Sequence, residues 1–149
     1  MRCVFGGTFN VLHQGHKSVI SGALNFCSEL IIGLTTDRFA RLYGHKKLRS
    51  FEERKKDLEE YLKSLGIKYE IVPLDDLFGP ALRDDVDVLI ATEEVVMNAL
   101  AVNRRRRAEG KKEIPIIVFP LVRKNGKISA SEMLKRFFVF IRRNSKCLC

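Results

Sequence analysis

Residues 6–16, GGTFNVLHQGH, follow the short apolar run RCVF and crowd two glycines, a threonine and two histidines three positions apart close to the start of the chain. Gly6 and Gly7 permit backbone angles and close approaches that a side chain would forbid. His13 and His16 straddle Gly15, where the apolar spacing of Val19, Ile20, Ala23, Leu24 and Cys27 begins a helix. The first turn of such a helix presents unpaired N–H groups and the positive end of its dipole, so its natural occupant is a phosphate. Imidazole N–H groups at the same helix mouth are suited to hold a phosphoryl group that gains charge during a displacement. Two plainer readings compete. The histidines can serve as surface or capping residues, or as a metal pair, although nothing nearby completes a ligand set. The stretch lacks both G-x-x-x-x-G-K-[ST] and G-x-G-x-x-G, so it is neither a P-loop nor a dinucleotide fingerprint.

Around this stretch the chain alternates strand and helix patterns. RCVF, ELIIGLT, YEIVPL, VDVLIAT and IPIIVFPLV are short and nearly continuous in apolar residues, as strands buried on both faces are. Between them lie the helix from about Gly15 and a second helix announced by Ser50 and Glu53, an S-x-x-E capping box. Phe51, Leu58, Leu62 and Leu65 keep helical spacing behind that box, and Gly66 stands in the C-terminal cap position. A third helix is predicted from about Glu93 to Glu109, and a fourth from about Ser129 to Arg143 after the Asn125-Gly126 turn. This order predicts an α/β protein: one Rossmann-like domain over 1–149, with a parallel sheet of about five strands and helices on both faces. In such sheets ligands bind beyond the C-terminal ends of the strands where their order reverses. On the third helix Val96, Ala99 and Leu100 define an inward stripe that helical spacing continues to Asn103 and Arg107, and a core stripe that turns polar points at something polar.

Length and composition set the bounds. A chain of 149 residues with 46% hydrophobic content suits a single core. No apolar stretch approaches a membrane span, and the expected location is the cytoplasm. Cys3, Cys27, Cys147 and Cys149 show no C-x-x-C spacing, so buried or idle thiols are expected in preference to a zinc site or a disulfide framework. The net charge of +9 asks for a polyanionic partner, and the run Arg104–Arg107 with Lys111 and Lys112 raises the alternative of a nucleic-acid-binding module.

GGTFNVLHQGH resembles the signature of the nucleotidylyltransferase superfamily, a Gly-rich turn followed by (H/T)-x-G-H. The similarity continues through IIGLTTD, HKKLRSFEERKKDLEEYL, ATEEVVMNALAVNRRRRAEG and KISASEMLKR, in that order, and is closest to the archaeal type of pantetheine-phosphate adenylyltransferase. The resemblance implies transfer of AMP from ATP, with Mg²⁺, to 4′-phosphopantetheine, giving dephospho-coenzyme A and pyrophosphate. It makes His13, His16 and Lys46 catalytic. It assigns phosphate contacts to Gly7, Thr8, Phe9, Gly15, Ser129, Ser131 and an arginine of the N-x-x-R pattern at Asn103 and Arg106, with Arg107 the choice of the stripe. Acceptor contacts fall on Thr8, Lys46, Lys47, Glu93 and Asn103. ATP and 4′-phosphopantetheine are then the partners, with no nucleic acid and no membrane. Three features depart from the family pattern: Asn10 replaces a frequent Asp, Ala130 stands where a second hydroxyl is usual, and Glu132, Met133 and Leu134 precede Lys135 where a basic residue is expected sooner. Superfamily relatives with other acceptors, of the FAD synthetase or glycerol-3-phosphate cytidylyltransferase type, share the first motif, but their R-T-x-G-I-S-T-T type segment fits RKNGKISAS poorly.

Overall fold

The computed structural model describes residues 1–42, 44 and 47–120. The fourth predicted helix, Lys46, Ser129 and Ser131 lie outside them.

Five apolar runs form five strands: β1 (Arg2–Gly7), β2 (Glu29–Thr35), β3 (Lys68–Leu74), β4 (Val88–Thr92) and β5 (Ile116–Phe119). They build one wholly parallel sheet in the order β3-β2-β1-β4-β5. The central strand β1 pairs with β2 in the register Val4–Ile31 and with β4 in the register Val4–Leu89. Because side chains alternate across a strand, Cys3 and Phe5 enter one core layer and Val4 the other. The first layer lies under α1 (Gln14–Ala23) and α3 (Phe51–Leu65), and the second under a 3₁₀ turn (Gly79–Leu82) and α4 (Val96–Ala108). This is the expected Rossmann-like α/β architecture.

Helix α3 is bounded as its sequence predicts. The Ser50 hydroxyl accepts the Glu53 N–H at 3.2 Å, the Glu53 carboxylate accepts the Ser50 N–H at 3.0 Å, and Gly66 ends the helix in the left-handed conformation. A short helix that the periodicity did not announce, α2 (Asp37–Leu42), follows β2; Thr36 starts it by accepting the Phe39 N–H at 3.2 Å. The predicted third helix is a 3₁₀ turn (Glu93–Val95) running into α4.

The expectation of idle thiols is corrected for two cysteines. Cys3 and Cys27 form a disulfide, with their Cα atoms 5.8 Å apart. Cys3 opens β1 facing the α1 layer, and Cys27 follows the turn after α1 in that same layer. Packing of helix on strand brings together two residues that no local spacing relates.

Candidate active site

A cleft of about 730 Å³ opens at the C-terminal ends of the strands, between β1 and β4, where the strand order reverses. Gly7, Thr8, Phe9, His13, Gly15 and His16, all drawn from the opening motif, line it.

The two histidines cap their own helix. His13 is the N-cap of α1, and its Nδ1 accepts the Gly15 N–H at 3.0 Å and the His16 N–H at 3.4 Å. His16 replies through its own Nδ1, which accepts the His13 N–H at 3.4 Å. The rings stack with centroids 3.8 Å apart. A capping box made of Ser and Glu is thereby reproduced with two imidazoles. An Nδ1 that accepts a hydrogen bond leaves the proton of a neutral ring on Nε2, at the opposite edge. Burial, and then the neighbouring charge of His13, push the His16 pKa down to about 4, against a contact with the Val11 main chain that favours the charged form. At neutral pH His16 is a neutral N–H donor.

Phe9 turns the motif. It is a non-glycine residue at φ 47°, 2% exposed, with its ring edge-on to Phe5 at 5.3 Å and 4.9 Å from His16. Gly7 and Gly15 make room for these rings. A Cβ on Gly7 would stand 2.9 Å from the Phe9 ring, and one on Gly15 would stand 2.8 Å from Cε1 of His13. Gly15 is thus required by the imidazole that caps the helix.

Thr8 is held from behind. The Thr35 hydroxyl at the end of β2 donates to its Oγ1 at 3.1 Å, and one Nη of Arg54 donates to its carbonyl at 2.9 Å. Arg54, on α3, is wholly buried and also donates to the Arg49 carbonyl, the Thr35 hydroxyl and the Asp37 carboxylate. It was missed as a site residue, although it falls on the α3 stripe that carries Leu58 and Leu62, and a charge on such a stripe is a signal.

Other expected residues are placed elsewhere. On α4 the buried positions are Ala99, Val102 and Arg106, while Leu100 is 41% exposed, so the inward stripe is out of phase with the sequence reading. Arg106 donates to the carbonyls of Ala81, Arg83 and Lys112, at 2.8, 2.9 and 2.7 Å, instead of facing phosphate. Asn103 exchanges two hydrogen bonds with the main chain of Ile114 and locks α4 to the approach to β5. Arg107 is exposed beside Glu113 at 3.6 Å. Val95, Asn98, Ala99 and Val102 run α4 along the cleft wall, and Arg106, one turn beyond Val102, gives its guanidinium to the carbonyls of Ala81, Arg83 and Lys112. Glu93 is exposed and off the cleft wall, where Thr92, Glu94 and Asn98 stand instead. Lys47 is exposed next to the motif loop and off the wall. Phe39, Leu74 and Leu77, also missed, form an apolar side of the cleft.

Comparison with known proteins settles the family. Residues 4–140 match the family model described as Cytidylyltransferase-like. A phosphopantetheine adenylyltransferase of Methanopyrus kandleri is 39% identical over 124 residues, 81% of this chain and 79% of that protein. One from Archaeoglobus fulgidus is 33% identical over 142 residues, 91% of this chain and 93% of that one. The chain belongs to the cytidylyltransferase-like family, in its phosphopantetheine adenylyltransferase branch. A crystal structure of an Archaeoglobus fulgidus protein of unknown function superposes with a TM-score of 0.77 at 31% identity, covering 86% of this chain and 96% of that one.

For a cytidylyltransferase-like chain the departure at Asn10 has a local reason. Its Nδ2 donates to the Lys47 carbonyl at 2.8 Å while its Oδ1 accepts the Arg49 N–H at 2.8 Å. A carboxylate can do only the second.

Proposed function

We propose that the protein transfers the adenylyl group of ATP to 4′-phosphopantetheine, giving dephospho-coenzyme A and pyrophosphate, in coenzyme A biosynthesis. The observation that carries this reading is the pair of stacked, Nδ1-capping histidines on the wall of a cleft at the switch point of the sheet. An oxygen of the acceptor phosphate forms a bond to the α-phosphorus of ATP as the bond from that phosphorus to the bridging oxygen breaks, and pyrophosphate leaves with the electron pair. The acceptor is already an anion, so no protein nucleophile and no general base are required. The protein positions the two phosphates and stabilises the charge that builds between them, through the Nε2–H groups and the α1 N-terminus. His16 suits this task because it stays neutral and keeps its Nδ1 engaged with the helix.

ATP enters as its Mg²⁺ complex. Among the described residues no group of three or more His, Cys, Asp or Glu could hold a metal ion, and Mg²⁺ is commonly bound by substrate phosphates with one or two carboxylates. Glu94 is the carboxylate on the cleft wall. Lys46, Ser129 and Ser131 remain proposed phosphate contacts on the strength of the motif alone, as does the acceptor role of Lys47. The single family match over 4–140 supports reading the chain as one domain. A cytoplasmic location fits the reaction, and no helix among the described residues is long and apolar enough to cross a membrane.

The nucleic-acid alternative loses much of its support on α4. Arg105 pairs with Glu109 at 2.9 Å, Arg106 is buried, and Arg107 faces Glu113. The decisive assay supplies ATP, Mg²⁺ and 4′-phosphopantetheine and measures pyrophosphate. Release with this acceptor, and little with FMN or with CTP and glycerol 3-phosphate, is the expected result; preference for FMN would reassign the acceptor.

A further inference from the structure

We infer that Arg54 and Thr35 are positioning residues: they form a one-way hydrogen-bond chain that forces the Thr8 hydroxyl to donate into the cleft. The direction follows from the donor inventory. A guanidinium has N–H groups and no acceptor, so in the 3.3 Å contact between Arg54 Nη and Thr35 Oγ1 the arginine donates. Thr35 is 6% exposed, and its Oγ1 stands 3.1 Å from that of Thr8, to which it donates. Thr8 Oγ1 then receives a proton from behind, and its own proton is left for an acceptor on the cleft side. Thr8 is on the cleft wall, so a phosphate oxygen bound there finds a donor that needs no reorientation.

Arg54 is itself over-determined. Nε donates to the Arg49 carbonyl at 3.0 Å, one Nη to both the Thr8 carbonyl and Thr35, and the other Nη to Asp37 at 2.7 Å. The same Nη that starts the chain therefore also fixes the peptide between Thr8 and Phe9, at the entrance to the positive-φ turn. Arg105, exposed on α4 and paired with Glu109, supplies a control.

The inference rests on the adenylyltransferase reading, and the test separates the two. Pyrophosphate release by wild type comes first; its absence with 4′-phosphopantetheine defeats the functional reading. The chain is judged independently, by NMR of the full-length protein without ligand. The buried Thr35 hydroxyl proton should exchange slowly and show a nuclear Overhauser contact to Thr8, and this contact should vanish in Arg54→Lys while the fold is kept. A Thr35 proton directed away from Thr8 overturns the proposal. In an active enzyme, Thr35→Val should lower kcat/KM about 10- to 100-fold, the range for a hydrogen bond to a charged group. Thr8→Val should do the same, and the double variant should be no worse than the poorer single. Arg105→Ala, which removes only an exposed ion pair with Glu109, should leave kcat and KM unchanged. Additive losses at Thr8 and Thr35, or normal kinetics in a folded Thr35→Val, would sink it.

Discussion

His13 and His16 cap α1 through Nδ1, and in the proposed reaction the same rings meet phosphate through Nε2. The plain capping reading of these histidines and the catalytic one therefore describe opposite edges of the same side chains. Substitutions can divide them. His16→Ala removes both and should lower kcat about 10²- to 10³-fold, with ATP affinity by calorimetry changed far less, because the lost contact is strongest in the transition state. It should also cost about 1 kcal/mol of stability through the lost cap. His16→Asn returns an acceptor near the Nδ1 position, so its urea midpoint should recover while kcat does not. Normal kcat in His16→Asn would show the ring to be only a cap. The low pKa of His16 makes a second prediction. Protonation occurs near pH 4 in the folded protein and near 6.5 in the unfolded chain, so the unfolded state takes up the proton first as pH falls. The stability that the neutral ring contributes is complete above pH 6.5 and is lost as pH falls towards 4. Urea midpoints of wild type and His16→Asn, matched at pH 7, should therefore separate as pH falls to 4.5, with wild type falling faster; parallel curves would argue against it.

At the scale of elements, the two buried arginines show how far a sequence pattern reaches. Ser50, Glu53 and Gly66 mark α3 at both ends because capping chemistry is local to the chain. The interior of α4 is harder to read. Val96, Ala99 and Leu100 admit more than one helical phase, and the one adopted buries Val102 and Arg106 because the carbonyls of Ala81, Arg83 and Lys112 supply acceptors from other segments. No pattern within α4 announces those partners. The same limit hid the rear of the cleft: the motif loop is legible in eleven residues, but Thr35, Phe39 and Leu74 reach it only through strand pairing and the placement of α2. The arginine assignment can be checked directly. Arg106→Met leaves three carbonyls without their donor and should destabilise by on the order of 3 kcal/mol. Arg107→Ala loses only an exposed ion pair and should change stability by less than about 0.5 kcal/mol. Loss of ATP binding at Arg106 in a protein of undiminished stability would restore the phosphate assignment.

For the whole molecule, the Cys3–Cys27 bond closes a ring of chain around the entire motif, since the rest of β1, the Gly-rich turn and α1 lie between the two cysteines. Strand order and disulfide thus converge: β1 is the central strand, it faces the switch point with its C-terminal end, and it is tied to its own helix at the other end. Cys3 lies four residues before Gly7, about 13 Å along an extended strand, so the bond is remote from the histidines. Removing it should therefore change stability without changing chemistry. With a sequence separation of 24 residues, the chain-entropy estimate for restricting the unfolded state is about 3.5 kcal/mol. The variant with Cys3→Ala and Cys27→Ala should unfold at correspondingly lower urea while keeping wild-type kcat at 25 °C. Cys3 is fully buried and Cys27 is 7% exposed, so the native protein should resist millimolar reductant, and the linked peptides should be lost only after denaturant is added, as mass spectrometry of alkylated digests would record. A double-alanine variant as stable as wild type would show that packing of α1 on β1 holds the motif unaided.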